Sequence, residues 1–345
     1  MKALRLEKLA NLQVEREPLH MVECPIPEPG LGEVRIRVAA CGVCHTELDE
    51  IEGRTPPPRL PVILGHQAVG RIDKLGPEVS DGPLGGRVGV AWIYSACGQC
   101  RWCRTGRENL CPEFRATGRD VDGGYAEYMV VPAAFVHPIP KLFTAAEAAP
   151  LLCAGAIGYR SLSLAQLQPG APLGLTGFGA SAHLVLKLAR HRYPALPIYV
   201  FARSEKERHF ARELGAAWTG DSDEQAPGLM QAIIDTTPVW KPVINALSQL
   251  EPGGRLVINA IRKENSDRSL LAELDYPRDL WMEKTIQSVA NVSRADVREF
   301  LALAAEIPLH PTIVEFPLED ANRALLELKE RKIRGAKVLR ISSDW

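Results

Sequence analysis

The sequence predicts an α/β chain of two domains, a β-rich part and a doubly wound parallel sheet. Three observations carry this. At 345 residues the chain exceeds what one ordinary core holds. Up to about residue 155 it is rich in Gly, Pro and short alternating runs, which read as strands joined by turns. Beyond that point short apolar strands alternate with helical stretches, the pattern of a parallel sheet with crossover helices.

Alternation at 33–39 (EVRIRVA), 68–74 and 87–92 predicts strands in the first domain. The TPPPRLP stretch at 55–61 is not helical, because proline lacks the N–H and fixes φ. In the second domain strands are expected at 172–176, 197–201, 232–235, 255–260 and 285–289, with a helix over 183–190 after the first. Ser204 opens another helix, with Glu207 completing a capping box and Phe210 and Leu214 spaced to share its buried face. Ser293 caps a helix over 294–306, in which Val297, Leu301 and Ala304 form an apolar stripe. A helix at 318–330 and a strand at 337–341 close the chain. The domains are therefore expected at 1–154, returning at 294–345, and at 155–293.

The chain is 46% hydrophobic and 24% charged, as soluble globular proteins are. A net charge of -1 offers no basic footprint for nucleic acid. No apolar run approaches the roughly 18–20 residues of a membrane helix, and MKALRLEKLA is no secretory signal. A cytoplasmic protein with neither nucleic-acid nor membrane partners is expected.

The 8 Cys are unevenly placed. In a cytosolic chain, thiols clustered at short spacing read as metal ligands. Cys97, Cys100, Cys103 and Cys111 form C-x2-C-x2-C-x7-C. Four thiolates close a tetrahedron around zinc and leave no position open for chemistry, so this is a structural site, with an iron–sulfur centre as the alternative. A second set draws on Cys41 and Cys44 in CGVCHTELD, His66 in GHQAVG and Cys153 in PLLCAG. Thiol, imidazole and thiol make one known catalytic zinc set. Each member taken alone also reads as an ordinary thiol or histidine.

Gly177–Phe178–Gly179–Ala180–Ser181–Ala182 is G-x-G-x-x-A between an expected strand and helix. Gly177 makes the tight turn and Gly179 lets backbone approach a pyrophosphate. Ala182 allows close helix–strand packing, and the helix N-terminus attracts the phosphate charge. At the end of the next strand, where an acid would bond ribose hydroxyls, the chain has Ala202, followed by Arg203 and Ser204. Arginine can bind a 2′-phosphate that a carboxylate would repel, which favours NADP over NAD. NAD remains the alternative, with Arg203 stacked on adenine and Ser204 serving only as a cap.

GVCHTELD, GHQAVG, the four-Cys lobe, LLCAG and the glycine-rich loop occur in the order seen in zinc-dependent medium-chain alcohol dehydrogenases, and the chain resembles that family over essentially its whole length. The resemblance implies a GroES-like catalytic domain, a Rossmann domain and an active site in the cleft between them. It implies two zinc ions per chain, the catalytic one on Cys44, His66 and Cys153, with Cys41 and Cys24 as ordinary thiols. It implies Thr46 as the hydroxyl that takes the alcohol's proton, His45 facing the pyrophosphate, Glu47 bonded to the liganding histidine, and Trp92 lining the substrate pocket. The chain departs from the family at three places. Gln67 follows the ligand histidine where Glu is frequent. Asp49 stands where many members end the proton relay on His. Ala336 replaces a cofactor-binding Arg of some members. The implied activity is interconversion of a primary, or secondary, alcohol and its carbonyl compound with NAD(P), in a homodimer or homotetramer. The alternatives are a zinc-free quinone or enone reductase of the same fold and a non-enzymatic zinc-binding scaffold.

Overall fold

The computed structural model describes residues 1–80, 84–307, 309–330, 334–343 and 345. They form two compact units, one of Met1–Ala156 with Asn291–Trp345 and one of Ile157–Ala290.

The first unit is organised by strand β1 (Glu33–Val43). Val34, Ile36 and Val38 face the core at 0–1% exposure while Arg35 and Arg37 face outward, as period-2 alternation requires. The strand runs past the expected 39 because Ala39–Val43 is buried on both faces, so alternation ceases there. It leads through Cys44 into helix α1 (His45–Ile51). Strand β2 (Ala68–Leu75) lies antiparallel to β1, with Cys41 opposite Ala68. That register puts His66, two residues before β2, beside the Cys44 end of β1. Gly42 makes the approach possible, since a Cβ there would sit 2.5 Å from the Gln67 Oε1. Strands β3 (Arg87–Val90), β4 (Tyr128–Pro132) and β5 (Val136–Pro138) extend the sheet. Helix α2 (Ala145–Pro150) is capped by Thr144, whose hydroxyl accepts from the Glu147 N–H at 3.2 Å. A π-helical turn, Leu151–Gly155, carries Cys153 onward into α3 (Ala156–Ala165).

In the second unit six strands pair in parallel: β6 (Leu173–Thr176), β7 (Ile198–Phe201), β8 (Trp218–Gly220), β9 (Met230–Asp235), β10 (Leu250–Ile258) and β11 (Thr285–Ser288). Their order, β8-β7-β6-β9-β10-β11, is the doubly wound 3-2-1-4-5-6 arrangement with its switch point between β6 and β9. Helices α4 (Ala180–Arg192), α5 (Glu205–Glu213) and α6 (Lys241–Ser248) belong to the crossovers. Leu173, Leu175, Val200, Ile233 and Leu256 are fully buried, as strands covered on both faces require. Neither β8 nor α6 is apparent in the sequence. The first has three residues, too few to show a period, and the second carries Pro242 in its first turn, a breaker in helix interiors that is tolerated there. Strand β10 begins five residues before the expected 255. Leu214 follows α5 as its half-buried C-cap instead of sharing the buried face with Phe210.

The chain returns to the first unit through α7 (Arg294–Glu306), where the Ser293 hydroxyl accepts from the Asp296 N–H at 3.3 Å. Strand β12 (Ile313–Pro317) follows, and a 3-10 turn at Leu318–Asp320 precedes α8 (Ala321–Lys329). Strand β13 (Ala336–Arg340) then pairs antiparallel with β1. No helix among the described residues is long and apolar enough to cross a membrane.

Candidate metal and cofactor sites

The strand-to-helix junction at Cys44, the β2 approach at His66 and the π turn at Cys153 converge. The ligand atoms of these three residues all lie within 4.8 Å of one another. Cys41 is buried within β1 and outside the set. Glu47 lies at 0% exposure and spans two groups. Its Oε2 accepts from the Cys44 N–H at 2.8 Å, and its Oε1 lies 2.6 Å from the His66 Nδ1. A carboxylate in that position accepts a hydrogen bond from Nδ1–H, which leaves the lone pair on Nε2. Among the described residues the buried His66 Nε2 has no hydrogen-bond partner. Burial opposes a charged imidazole, but the Glu47 charge and the Cys44 sulfur hold the His66 pKa well above its ordinary value. The Cys153 hydrogen bond draws the Cys44 pKa well down, while the Cys44 sulfur and burial push Cys153 well up. Two thiols this close ionise together only around a cation. An unpartnered imidazole nitrogen and two thiols therefore fit zinc.

Around this set, the Thr46 hydroxyl lies 3.7 Å from the Cys44 sulfur and is 8% exposed. Trp92 is half-buried, its ring 6.5 Å from that of His66 and 5.4 Å from that of Phe114. His45 is exposed at the first position of α1. Asp49 is buried, and its carboxylate accepts from the Arg54 Nε at 2.5 Å. The sequence reading singled out neither Arg54 nor Glu50. Glu50 is 1% exposed, and among the described residues neither of its oxygens has a hydrogen-bond partner. Burial and then the neighbouring Glu47 charge raise its pKa well above the carboxylate range. Its signal was its spacing, since Glu47 and Glu50 are one helical turn apart.

The second cysteine set also closes up. The sulfurs of Cys97 and Cys103 are 3.9 Å apart and those of Cys100 and Cys103 are 3.6 Å apart, and the four ligand atoms lie within 4.8 Å. The Cys97 N–H donates to the Cys111 sulfur at 3.4 Å and the Cys100 N–H to the Cys97 sulfur at 3.3 Å, as backbone amides do around thiolates. Hydrogen bonding from the Cys103 backbone lowers Cys100 to about 7, while burial and the Cys100 sulfur lift Cys103 to about 12. This donor set too fits a tetrahedral ion.

In the second unit Gly177 has φ +77, and a Cβ there would meet the Thr236 Oγ1 at 2.9 Å. Gly179 caps α4, and nothing lies within 4 Å of a Cβ built on it, so the space before the helix N-terminus is open. Ala182 is fully buried in the first turn of α4. At the end of β7, Ala202 is buried while Arg203 and Ser204 are exposed. The expected capping box is half formed. Glu207 takes the Ser204 N–H, but the Ser204 hydroxyl makes no capping bond. The Arg208 Nη1 instead holds the Ala202 carbonyl at 2.7 Å and the Arg203 carbonyl at 3.1 Å.

The profile of the alcohol dehydrogenase GroES-like domain matches residues 30–141. The chain is 43% identical over 329 residues to the "probable alcohol dehydrogenase AdhA" of Mycobacterium tuberculosis (strain CDC 1551 / Oshkosh), covering 94% of this chain and 93% of that one. A thermostable alcohol dehydrogenase from Pyrobaculum aerophilum superposes with a TM-score of 0.88 at 25% identity over 99% of both chains. The structure of a "putative zinc-binding dehydrogenase" from Sinorhizobium meliloti 1021, bound to NADP, gives 0.84 at 25% identity, again over 99% of both. A parallel six-stranded Rossmann sheet and a GroES-like unit in one chain define the class, a medium-chain dehydrogenase. The chain belongs to the zinc-type medium-chain alcohol dehydrogenase family.

Proposed function

We propose that the protein oxidises a primary alcohol, or reduces the matching aldehyde, using one catalytic zinc, one structural zinc and a nicotinamide dinucleotide. The observation that carries this is the unpartnered His66 Nε2 set within 4.8 Å of two sulfurs. Bound zinc supplies a Lewis acid that lowers the alcohol's pKa, and the nicotinamide supplies the hydride acceptor. Cys44, His66 and Cys153 would hold the metal, and Glu47 fixes the His66 tautomer. The Thr46 hydroxyl takes the alcohol's proton at Oγ1. Asp49 stands on the outward route, paired with Arg54, and orients that route. Trp92 borders the pocket, next to His66.

Gly177, Gly179 and Ala182 would seat the dinucleotide pyrophosphate, and His45 would serve as a further cofactor residue. The Ser204 hydroxyl, free of its cap, and the exposed Arg203 favour a 2′-phosphate, and hence NADP. Residues 1–154 and 294–345 would serve catalysis and 155–293 the cofactor. Strand β11 is exposed along all four residues on the edge of its sheet, with Trp281, Met282 and Ile286 uncovered nearby. Such an edge pairs readily with a second copy and supports a homodimer or a larger homo-oligomer. The test is a metal assay, alongside initial rates of primary-alcohol oxidation with NAD and NADP. Two zinc per chain and faster reduction of NADP are expected. Absence of zinc with retained reductase activity would end the zinc reading.

A further inference from the structure

Asp235 and Lys263 form a buried ion pair that the proposed chemistry does not use. Their side chains are 0% and 7% exposed. Asp235 ends β9 directly opposite Thr176, the last residue of β6, so it stands at the switch point of the sheet. Its Oδ1 accepts from the Thr176 Oγ1 at 2.6 Å, the Thr237 Oγ1 at 2.7 Å and the Thr237 N–H at 3.3 Å. Its Oδ2 accepts from the Lys263 ammonium, which also donates to the carbonyls of Thr237 at 2.7 Å and Val239 at 3.1 Å. All three ammonium protons have acceptors, which is the condition for a buried pair to hold its geometry.

The same segment after β10 grips the segment after β9 at further points. The Glu264 N–H donates to the Pro238 carbonyl at 2.6 Å. The Asp267 Oδ2 accepts from the Trp240 and Lys241 N–H groups at 2.8 Å each, at the start of α6. Thr236 in turn donates from Oγ1 to the Thr176 carbonyl at 2.9 Å, and Thr236 and Thr237 crowd the Gly177 turn so closely that a Cβ built there would lie 2.9 Å from the Thr236 Oγ1 and 3.0 Å from the Thr237 Cγ2. The loops at the carboxyl ends of β6, β9 and β10 are thus one hydrogen-bonded assembly, with Lys263 at its centre. Ligands of doubly wound sheets bind in the crevice at this end and at this switch point.

We propose that Lys263 is a positioning residue for the dinucleotide. By tying the segment after β10 to Asp235 and to two carbonyls of the segment after β9, it sets how closely Thr236 and Thr237 approach the Gly177 turn. The inference rests on the nicotinamide reading above. The test is fluorescence titration of the zinc-loaded full chain with NADPH and NADH, comparing wild type, Lys263→Met and the double variant Lys263→Met/Asp235→Asn. The double variant leaves no unpaired charge and guards against simple misfolding of the single one. We expect the Kd of the preferred dinucleotide to rise about 10-fold in both variants, with kcat at saturating dinucleotide within about 3-fold of wild type. A merely structural role would lower the folded fraction without this split. Wild-type Kd in the double variant overturns this inference alone. Failure of the wild type to bind either dinucleotide overturns the cofactor reading and this inference with it.

Discussion

The Oε1 of Glu47 lies 2.6 Å from the Nδ1 of His66, and both side chains are closed to solvent. The carboxylate fixes the ring so that Nε2 faces the two thiols, and it adds basicity to that nitrogen. Glu47→Gln keeps an oxygen acceptor but removes the charge. Zinc affinity at the catalytic site should fall about 10- to 100-fold, with activity partly recovered in excess zinc. Competition against a chelator measures it, and an unchanged affinity would mean that Glu47 is only a packing group.

Thr46 and Asp49 are separable on the same helix. Thr46 lies beside the Cys44 sulfur, whereas Asp49 is engaged by Arg54. Thr46→Val should lower kcat by about 100-fold or more with both metals retained. Asp49→Asn should change kcat only a few-fold, but should lower thermal stability because Arg54 loses its buried partner. Equal losses of kcat in the two variants would restore Asp49 as the proton acceptor and retire its orienting role.

Much of this was legible in the sequence, for reasons that also explain what was not. The helix at 294–306 shows its start in Ser293 and Asp296, a local signal that needs no tertiary knowledge. The four-cysteine set showed because clustered thiols are rare enough for spacing to be informative, whereas the choice of Cys44, His66 and Cys153 came from the family resemblance. The Asp49–Arg54 pair was hidden because five residues apart is not a helix-face spacing. The chain leaves the helix after Ile51 and brings Arg54 back onto Asp49. Asp235 and Lys263 meet across 28 residues, through two strand ends and a helix, and no local pattern encodes that. Glu50 lies one helical turn from Glu47, but it is its burial, which no local pattern shows, that sets it apart.

Dinucleotide choice turns on the end of β7. With no acid at Ala202, and with Arg203 and the Ser204 hydroxyl exposed, Arg203→Ala should lower kcat/KM for NADP about 10- to 100-fold, the worth of a charge-assisted hydrogen bond. The value for NAD should stay nearly constant. An equal fall for both dinucleotides would show that Arg203 contacts the adenine instead.

The four-cysteine lobe is tied to α7 through Arg294, whose guanidinium meets the Glu108 carboxylate at 2.7 Å. Structural zinc in small peptides is worth roughly 10–16 kcal/mol of apparent binding energy, far more than this pair supplies. Cys103→Ser should therefore cost one zinc per chain and open the lobe to proteolysis between residues 97 and 111. Full metal content with an intact lobe would show that three thiolates suffice.

Two buried histidines make stability depend on pH. Burial, followed for His137 by the Arg294 and Arg298 charges, lowers His137 to about 4, and burial lowers His183 to about 4. Each titrates from 6.5 in the unfolded chain, so the folded state binds fewer protons between these values. The stability each contributes is present above 6.5 and is lost as pH falls toward 4, on the order of 3 kcal/mol per histidine over the whole window. At pH 5.5 unfolding should take up about one proton for each. Replacing His137 by Gln should therefore flatten the dependence of urea-unfolding stability on pH between 5 and 6 by about 1.4 kcal/mol per pH unit. Other carboxylates and the metal ligands cancel in that comparison, because they are common to both proteins. An unchanged slope would mean that His137 is protonated in the folded state, and its burial beside two arginines would then need a different partner.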